Sequence, residues 1–441
     1  MSKKTMLAFA VQLMLLNVSA QVSLLQSGPM VGYSDFKEVA LWVQTKQAAE
    51  VKIVYFETGK PAIRFETEQV RTTKEKAFAT HLIADQVLPG KRYTYELYIN
   101  RKKAERPYPL EFQSQTLWQF RTDPPDFKFA TGSCAYINET EFDRPGKPYG
   151  SDYEIFTTIA KQKPDFMLWL GDNTYTREAD WNSRTGIMHR YTHTRSNAEM
   201  QPLLGSVHNY AVWDDHDYGP DNSDRGFWNK NLTLEAFKTF WANPNYALGE
   251  KAGITGTFQW NDVQFFVLDN RWFRAPDRNK LGERPMLGEQ QLQWLIDNLI
   301  YSRATFKVIA MGGQALNPAP LEENYADYAE ERDRLLKAIG DAKISGVLFV
   351  DGDRHHTVLS KMERPGTYPL YDLTVSPLTA GAHDPKNEAN TLAVPNTLVT
   401  EHNFGLIEVK GPRTNRTMTI HIHDKDGNEK WKQEIKATDL K

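Results

Sequence analysis

The 441 residues are 40% hydrophobic and 25% charged, enough for one large domain with a good core and a smaller second one. Aromatic residues make up 12%, with 11 Trp, which excludes a chain that is mostly disordered. Net charge is −3 and no long basic block occurs, so binding to a nucleic-acid scaffold has no electrostatic footprint.

Residues 1–20 read as a cleavable signal peptide: Lys3 and Lys4, an apolar run over 6–16 broken only by Gln12, then Val18-Ser19-Ala20 at the cleavage positions. The run is shorter than the ~20 residues needed to span a bilayer, so no transmembrane segment is expected. The implied destination is secretion or the periplasm. An oxidising compartment favours paired cysteines, yet the chain has one, Cys134. A lone thiol there is either buried and inert or holds something such as a metal.

Residues 21–122 have the composition of an all-β domain. Residues 41–45, 51–55 and 93–97 read as strands, the last two alternating, and Leu88-Pro89-Gly90 is a turn before the third. Six or seven short strands in this length suggest a small sandwich of fibronectin III kind. Asp123-Pro124-Pro125-Asp126 reads as a linker. From 127 to 441 strands alternate with helices. Strands are expected at 127–130, 166–170, 210–213, 306–311 and 347–350, with helices at 152–162, around Leu292 to Leu299, and around Leu335 to Ile339. Continuous apolar strands between helices predict an α/β domain whose sheets are covered on both faces. The tail from Leu406 reads as hairpin strands turning at Asp426-Gly427-Asn428.

The chemistry follows the strands. They lead into Gly132-Ser133-Cys134, Gly171-Asp172-Asn173-Thr174-Tyr175, Asp214-Asp215-His216-Asp217, Gly312-Gly313-Gln314 and Asp351-Gly352-Asp353-Arg354-His355-His356. Ligands bind beyond the carboxyl ends of strands in such sheets, so five loops can converge on one site. Cys134, Asp172, Tyr175, Asp215, Asp353 and His355 offer one thiolate, one phenolate, three carboxylates and one imidazole. That is a ligand set for two ions, with Asp172 as the natural bridge. Thiolate, phenolate and imidazole suit a transition metal, and a phenolate suits ferric iron (Fe3+). No His lies between His216 and His355, so the second ion is left with carboxylates and the Gln314 amide. Such hard donors favour calcium (Ca2+) or Mg2+. His216 is the candidate acid for the leaving group, and a hydroxide held between the ions is the expected nucleophile. Arg271 follows the apolar run 265–267 and is the candidate grip on phosphate oxygens. His189, His193, His208, His356, His421 and His423 read as structural or surface residues.

Gly171-Asp172-Asn173-Thr174-Tyr175 resembles the GDxxY motif of purple acid phosphatases, and the order of the site segments resembles calcineurin-like metallophosphoesterases. The departures are specific: Gly-Ser-Cys134 in place of Asp-x-His, Asp215-His216 in place of Asn-His, and Gly352-Asp353-Arg354-His355 in place of Gly-His-x-His. That combination resembles the PhoD-like (alkaline phosphatase D) family. The resemblance implies a ferric ion on Cys134, Tyr175 and His355, Asp172 as bridge, and calcium beside Asp215 and Asp353. It extends over the N-terminal β domain, Ser376-Pro377-Leu378-Thr379 and Asn403-Phe404-Gly405. Asn173 stands where family members often carry an aromatic residue, which makes it a candidate substrate contact. The activity implied is hydrolysis of small phosphate mono- or diesters, with no obligate protein partner. A phospholipase-type diesterase competes, weakened by the lack of a basic amphipathic segment. A non-catalytic binding protein on the same fold competes too, but every expected ligand position is filled by a competent residue.

Overall fold

The computed structural model describes residues 23–441 apart from 280 and 322, so the expected signal peptide lies outside the described residues. Two sheets make the core. The first has nine strands, in the order Glu429–Lys436, Thr417–Asp424, Asn403–Lys410, Phe127–Gly132, Phe166–Leu170, His208–Val212, Leu25–Ser34, Val39–Thr45 and Ala79–Ala84. The second has six: Gly256–Trp260, Val263–Val267, Phe306–Ala310, Val347–Asp351, Leu370–Thr374 and Val358–Met362. The central strands of each run parallel, and four of them are buried at every position. That is the pattern of strands with no solvent face. The helices between them turn apolar stripes inward: Ile155, Phe156 and Ile159 on Glu154–Lys161, and Leu292, Leu295 and Leu299 on Glu289–Tyr301.

Aromatic side chains fill the space between the sheets. Phe129 and Phe166 stack at 4.8 Å, and the Phe265 ring of the second sheet meets each edge-on at 5.3 Å. Tyr210 stacks on Phe258 at 3.8 Å. Such offset and T-shaped pairs contribute about 0.5–1.5 kcal/mol each beyond burial. They also bring the carboxyl ends of both sheets to one rim. Gly352, after the second sheet, lies so near Ser133, after the first, that a Cβ would stand 2.4 Å from its Oγ.

The expected N-terminal strands form a third sheet, Phe65–Glu66, Glu50–Glu57, Arg92–Ile99 and Lys102–Ala104, packed against Val31, Leu41 and Val43 of the long sheet. This gives the all-β sandwich, with a difference in its boundary. One layer of it is hydrogen-bonded into the α/β sheet, because Leu25–Ser34 pairs parallel with His208–Val212. Side chains seal the joint: Tyr95 Oη donates to Gly205 O at 2.7 Å and Trp42 Nε1 to Thr239 O at 2.8 Å.

The 123–126 segment is pinned, not free. Buried Arg416 reaches Asp126 at 2.8 Å and Asp262 at 3.0 Å, and donates to Pro125 O at 2.5 Å. Asp262 is itself buried. Arg416→Ala therefore strands a buried carboxylate, and urea unfolding is expected to show a loss of about 3–5 kcal/mol. A loss below about 1 kcal/mol would place the pair among screened surface bridges instead.

Candidate metal centre and active-site cleft

The five expected loops meet at the rim. Cys134, Asp172, Asp353 and His355 each follow a strand by a few residues and each adopt φ between 50° and 68°. Left-handed backbone at non-glycine residues costs about 1–3 kcal/mol each and collects at functional sites. Gly171, at φ 94°, permits the closest approach: a Cβ there would lie 2.7 Å from that of Asp214.

Three groups of ligand atoms form a chain, the atoms of each group lying within 4.8 Å of one another: Cys134, Asp172 and His355; Asp172, Asp215 and His216; Asp214, Asp215 and Asp353. Asp172 and Asp215 are the shared members. Cys134 Sγ lies 3.7 Å from Asp172 Oδ2 and accepts from Ser376 Oγ at 3.1 Å. His355 Nδ1 donates to Gly381 O at 2.6 Å, which turns the Nε2 lone pair toward Tyr175 Oη at 3.1 Å. A backbone carbonyl that fixes the tautomer in this way is the usual support of a metal-ligating imidazole.

The donor set fits cations on electrostatic grounds. Burial pushes the Cys134 thiol up to about 12, and Asp353 up to about 7 against the pull of Arg354. Burial, then Asp215 and Cys134, raise Asp172 well above the carboxylate range. Burial also works to raise Asp215, but His216 and Arg271 outweigh it and hold it down to about 2. Burial lowers His355 to about 4, so its ring is neutral at pH 7. Arg271 and Arg354 stand against Asp172, Asp214, Asp215, Asp353, Glu323 and the Cys134 thiol, so the pocket carries more acid than its arginines balance, and bound cations would offset the excess. Asp214 Oδ2, Asp215 Oδ1, Asp353 Oδ2 and Asn270 Oδ1 also lack any hydrogen-bond partner, as ligand atoms facing an ion would.

The structure places Arg271 among the carboxylates of the site. It is 0% exposed, and its guanidinium is taken by Asp214 and Glu323, with Asp215 Oδ1 at 3.8 Å. Its Nη2 has no hydrogen-bond partner, and the side chain as a whole is closed to solvent among the carboxylates. Gln314 is likewise engaged at both ends, by Thr374 at 2.9 Å and Asn317 at 2.8 Å. Asn173 is buried and donates to Val212 O at 2.7 Å. His208 and His356 are buried and bonded to backbone carbonyls, and His189 faces Glu139. His193 bonds the Asn138 carbonyl, and His421 is paired with Glu429.

Sequence reasoning missed Asp214, Asn270, Glu323, Ser376 and Tyr149. Asp214 was hidden by its neighbour: the doublet Asp214-Asp215 offers both side chains to the site, and Asp217 accepts the Asp214 backbone N–H at 3.0 Å to hold the turn. Ser376 lies in a segment that carried the resemblance but no ligand chemistry.

The His216 ring lies 4.3 Å from that of Tyr175, tilted by 31°, and the side chain is 23% exposed, with Nε2 3.5 Å from Asp221. It faces a cleft of about 330 Å³ whose walls include Tyr136, Tyr149 and Trp181. A second opening of about 360 Å³ lies over Asp353, Arg354 and His355. A larger cavity of about 650 Å³ lies elsewhere, beside Lys230 and Trp272, and gathers none of these ligands.

Two sheets packed face to face, with an acidic, thiol-bearing centre at their joined strand ends, define a metallophosphoesterase-like fold. The structure superposes on a purple acid phosphatase isolated from yellow lupin (Lupinus luteus) seeds with a TM-score of 0.66 at 10% identity, over 92% of this chain and 74% of that one. It superposes on the structure of PhoD with a TM-score of 0.76 at 17% identity, over 95% and 93%. The family described as PhoD-like phosphatase matches residues 129–419, and the chain belongs to it. Residues 22–117 match a domain of unknown function, DUF7800. Alkaline phosphatase D of Bacillus subtilis (strain 168) is 24% identical over 368 residues, covering 72% of this chain and 60% of that protein's length. No helix among the described residues is long and apolar enough to cross a membrane.

Proposed function

We propose that the chain is an exported phosphoester hydrolase that works on phosphate mono- or diesters with an iron–calcium pair. The observation that carries this reading is the sharing of Asp172 between the Cys134–His355 group and the group of Asp215 and His216, on loops from both sheets. Cys134, Tyr175 and His355 would hold Fe3+, while Asp215 and Asp353, joined by Asp214 and Asn270, would hold Ca2+. Bound there, the ions supply Lewis acidity and lower the pKa of water. The chain's own residues do the rest. His216 gives a proton to the departing oxygen. Its backbone N–H donates to Asp172 Oδ1 at 3.2 Å, which ties the acid's position to the bridging carboxylate. Arg271 holds Asp214 and Glu323 in place. Export is supported by Lys3, Lys4, the apolar run and Val18-Ser19-Ala20.

Elemental analysis is expected to give about one iron and at least one calcium per chain. The purified protein should be coloured by phenolate-to-iron charge transfer. Tyr175→Phe keeps the ring on His216 and removes only the oxygen, so the visible band should vanish while the fold persists. Two zinc ions per chain, or a band that survives Tyr175→Phe, would defeat the ferric assignment.

A further inference from the structure

The mouth of the site is split, and one side chain does the splitting. The cleft on the His216 side and the opening over Arg354 are separate cavities, and Tyr149 lines both. Its side chain stands in the open, 47% exposed, yet it is firmly held. The ring meets Tyr136 edge-on at 5.0 Å and lies over Gly381, where a Cβ would come within 3.2 Å of it. The next residue is clamped: Asn138 Nδ2 donates to Gly150 O at 2.8 Å, and Asn138 Oδ1 accepts from Gly150 N at 3.0 Å. Ser151 N donates to Thr379 O at 2.8 Å.

The hydroxyl has spare capacity. It lies 3.1 Å from His355 Nδ1, the nitrogen that carries a proton because it donates to Gly381 O. Toward that nitrogen the Tyr149 oxygen can only accept. Its own O–H proton is left to give to an oxygen in the cleft.

We propose that Tyr149 is the dividing wall of one substrate groove, whose two limbs each take one ester arm of a phosphodiester, with the Tyr149 hydroxyl donating to a non-bridging phosphoryl oxygen between them. The limb beside His216 takes the leaving arm, since the proton donor stands there. Tyr136 and Trp181 give it aromatic walls, and Arg144 and Lys147 lie at its rim. The limb beside Arg354 and His383 takes the retained arm. A monoester fills only the first. This assignment rests on the phosphoesterase reading above.

Bis(4-nitrophenyl) phosphate and 4-nitrophenyl phosphate share a leaving group, so the ratio of their kcat/KM values isolates the second arm. Tyr149→Ala is expected to lower the diester-to-monoester ratio about tenfold, mainly through the diester KM. Tyr149→Phe keeps the wall, so its ratio should stay within about twofold of wild type while kcat falls for both esters. Metal content and melting temperature are measured for each variant. An unchanged ratio in a folded, metal-replete Tyr149→Ala protein overturns the dividing wall, and equal loss of the ratio in Tyr149→Phe overturns the role given to the ring. Wild-type protein that hydrolyses neither ester overturns the hydrolase reading and this one with it, so the two failures are told apart.

Discussion

Replacing Asp172 by Ala is expected to empty both metal positions and to lower kcat/KM by roughly 10³-fold or more. Asp172 links the Cys134–His355 group to the group that holds Asp215: one oxygen lies 3.7 Å from Cys134 Sγ and the other accepts the His216 N–H at 3.2 Å. Asp172→Asn keeps the shape and removes the charge, and it separates two effects. Burial and the neighbouring acids raise the Asp172 pKa above its unfolded value. Such a group favours the metal-free fold only while protonated, and that contribution is lost as pH rises. The metal-free Asn variant should thus melt above metal-free wild type at pH 8, while its metal-loaded form is far less active. Retention of both metals by Asp172→Ala would sink the bridging role.

The second large effect concerns His216. His216→Ala is expected to keep both metals and slow turnover by roughly 10²–10⁴-fold, with a smaller loss on esters of more acidic leaving groups. The side chain is placed for this work: its ring lies on Tyr175 and its edge reaches the cleft. The same ring also stands within ligand distance of Asp172 and Asp215. The two roles part on metal analysis, because loss of one ion in His216→Ala would make it a ligand and leave the leaving group without its acid.

The strand ends were the most legible part of the chain. A run such as Phe166–Leu170, buried at every position, stops where a glycine and a carboxylate follow, and a chain that must solvate such groups puts them at a sheet rim. That signal singles out Cys134, Asp172, Tyr175, Asp215, Asp353 and His355, and the structure brings them together. The same signal said less at Arg271. It too follows an apolar run, but whether a side chain turns outward or back among carboxylates depends on Asp214 and Glu323, which are 57 and 52 residues away in sequence. Tyr149 gave no signal at all. It lies in a Pro- and Gly-rich loop, and its place is set by Asn138 and Gly381. Leu25–Ser34 carries Gly28-Pro29 in its middle, and its parallel partner lies far along the chain, so local pattern does not reveal the pairing.

That strand gives the N-terminal region a duty separate from any chemistry. Without residues 23–117, His208–Val212 would end the sheet, with its amides and carbonyls open along one side and every side chain apolar or buried. An unpaired edge of that kind is a template for another copy of itself. Val31 covers it by pairing with His208, Asn209 Nδ2 donates to Val31 O at 3.1 Å, and Gln113 N donates to His208 Nε2 at 3.1 Å. A chain shortened to residues 127–441 is therefore expected to self-associate, which light scattering on the truncated protein would show.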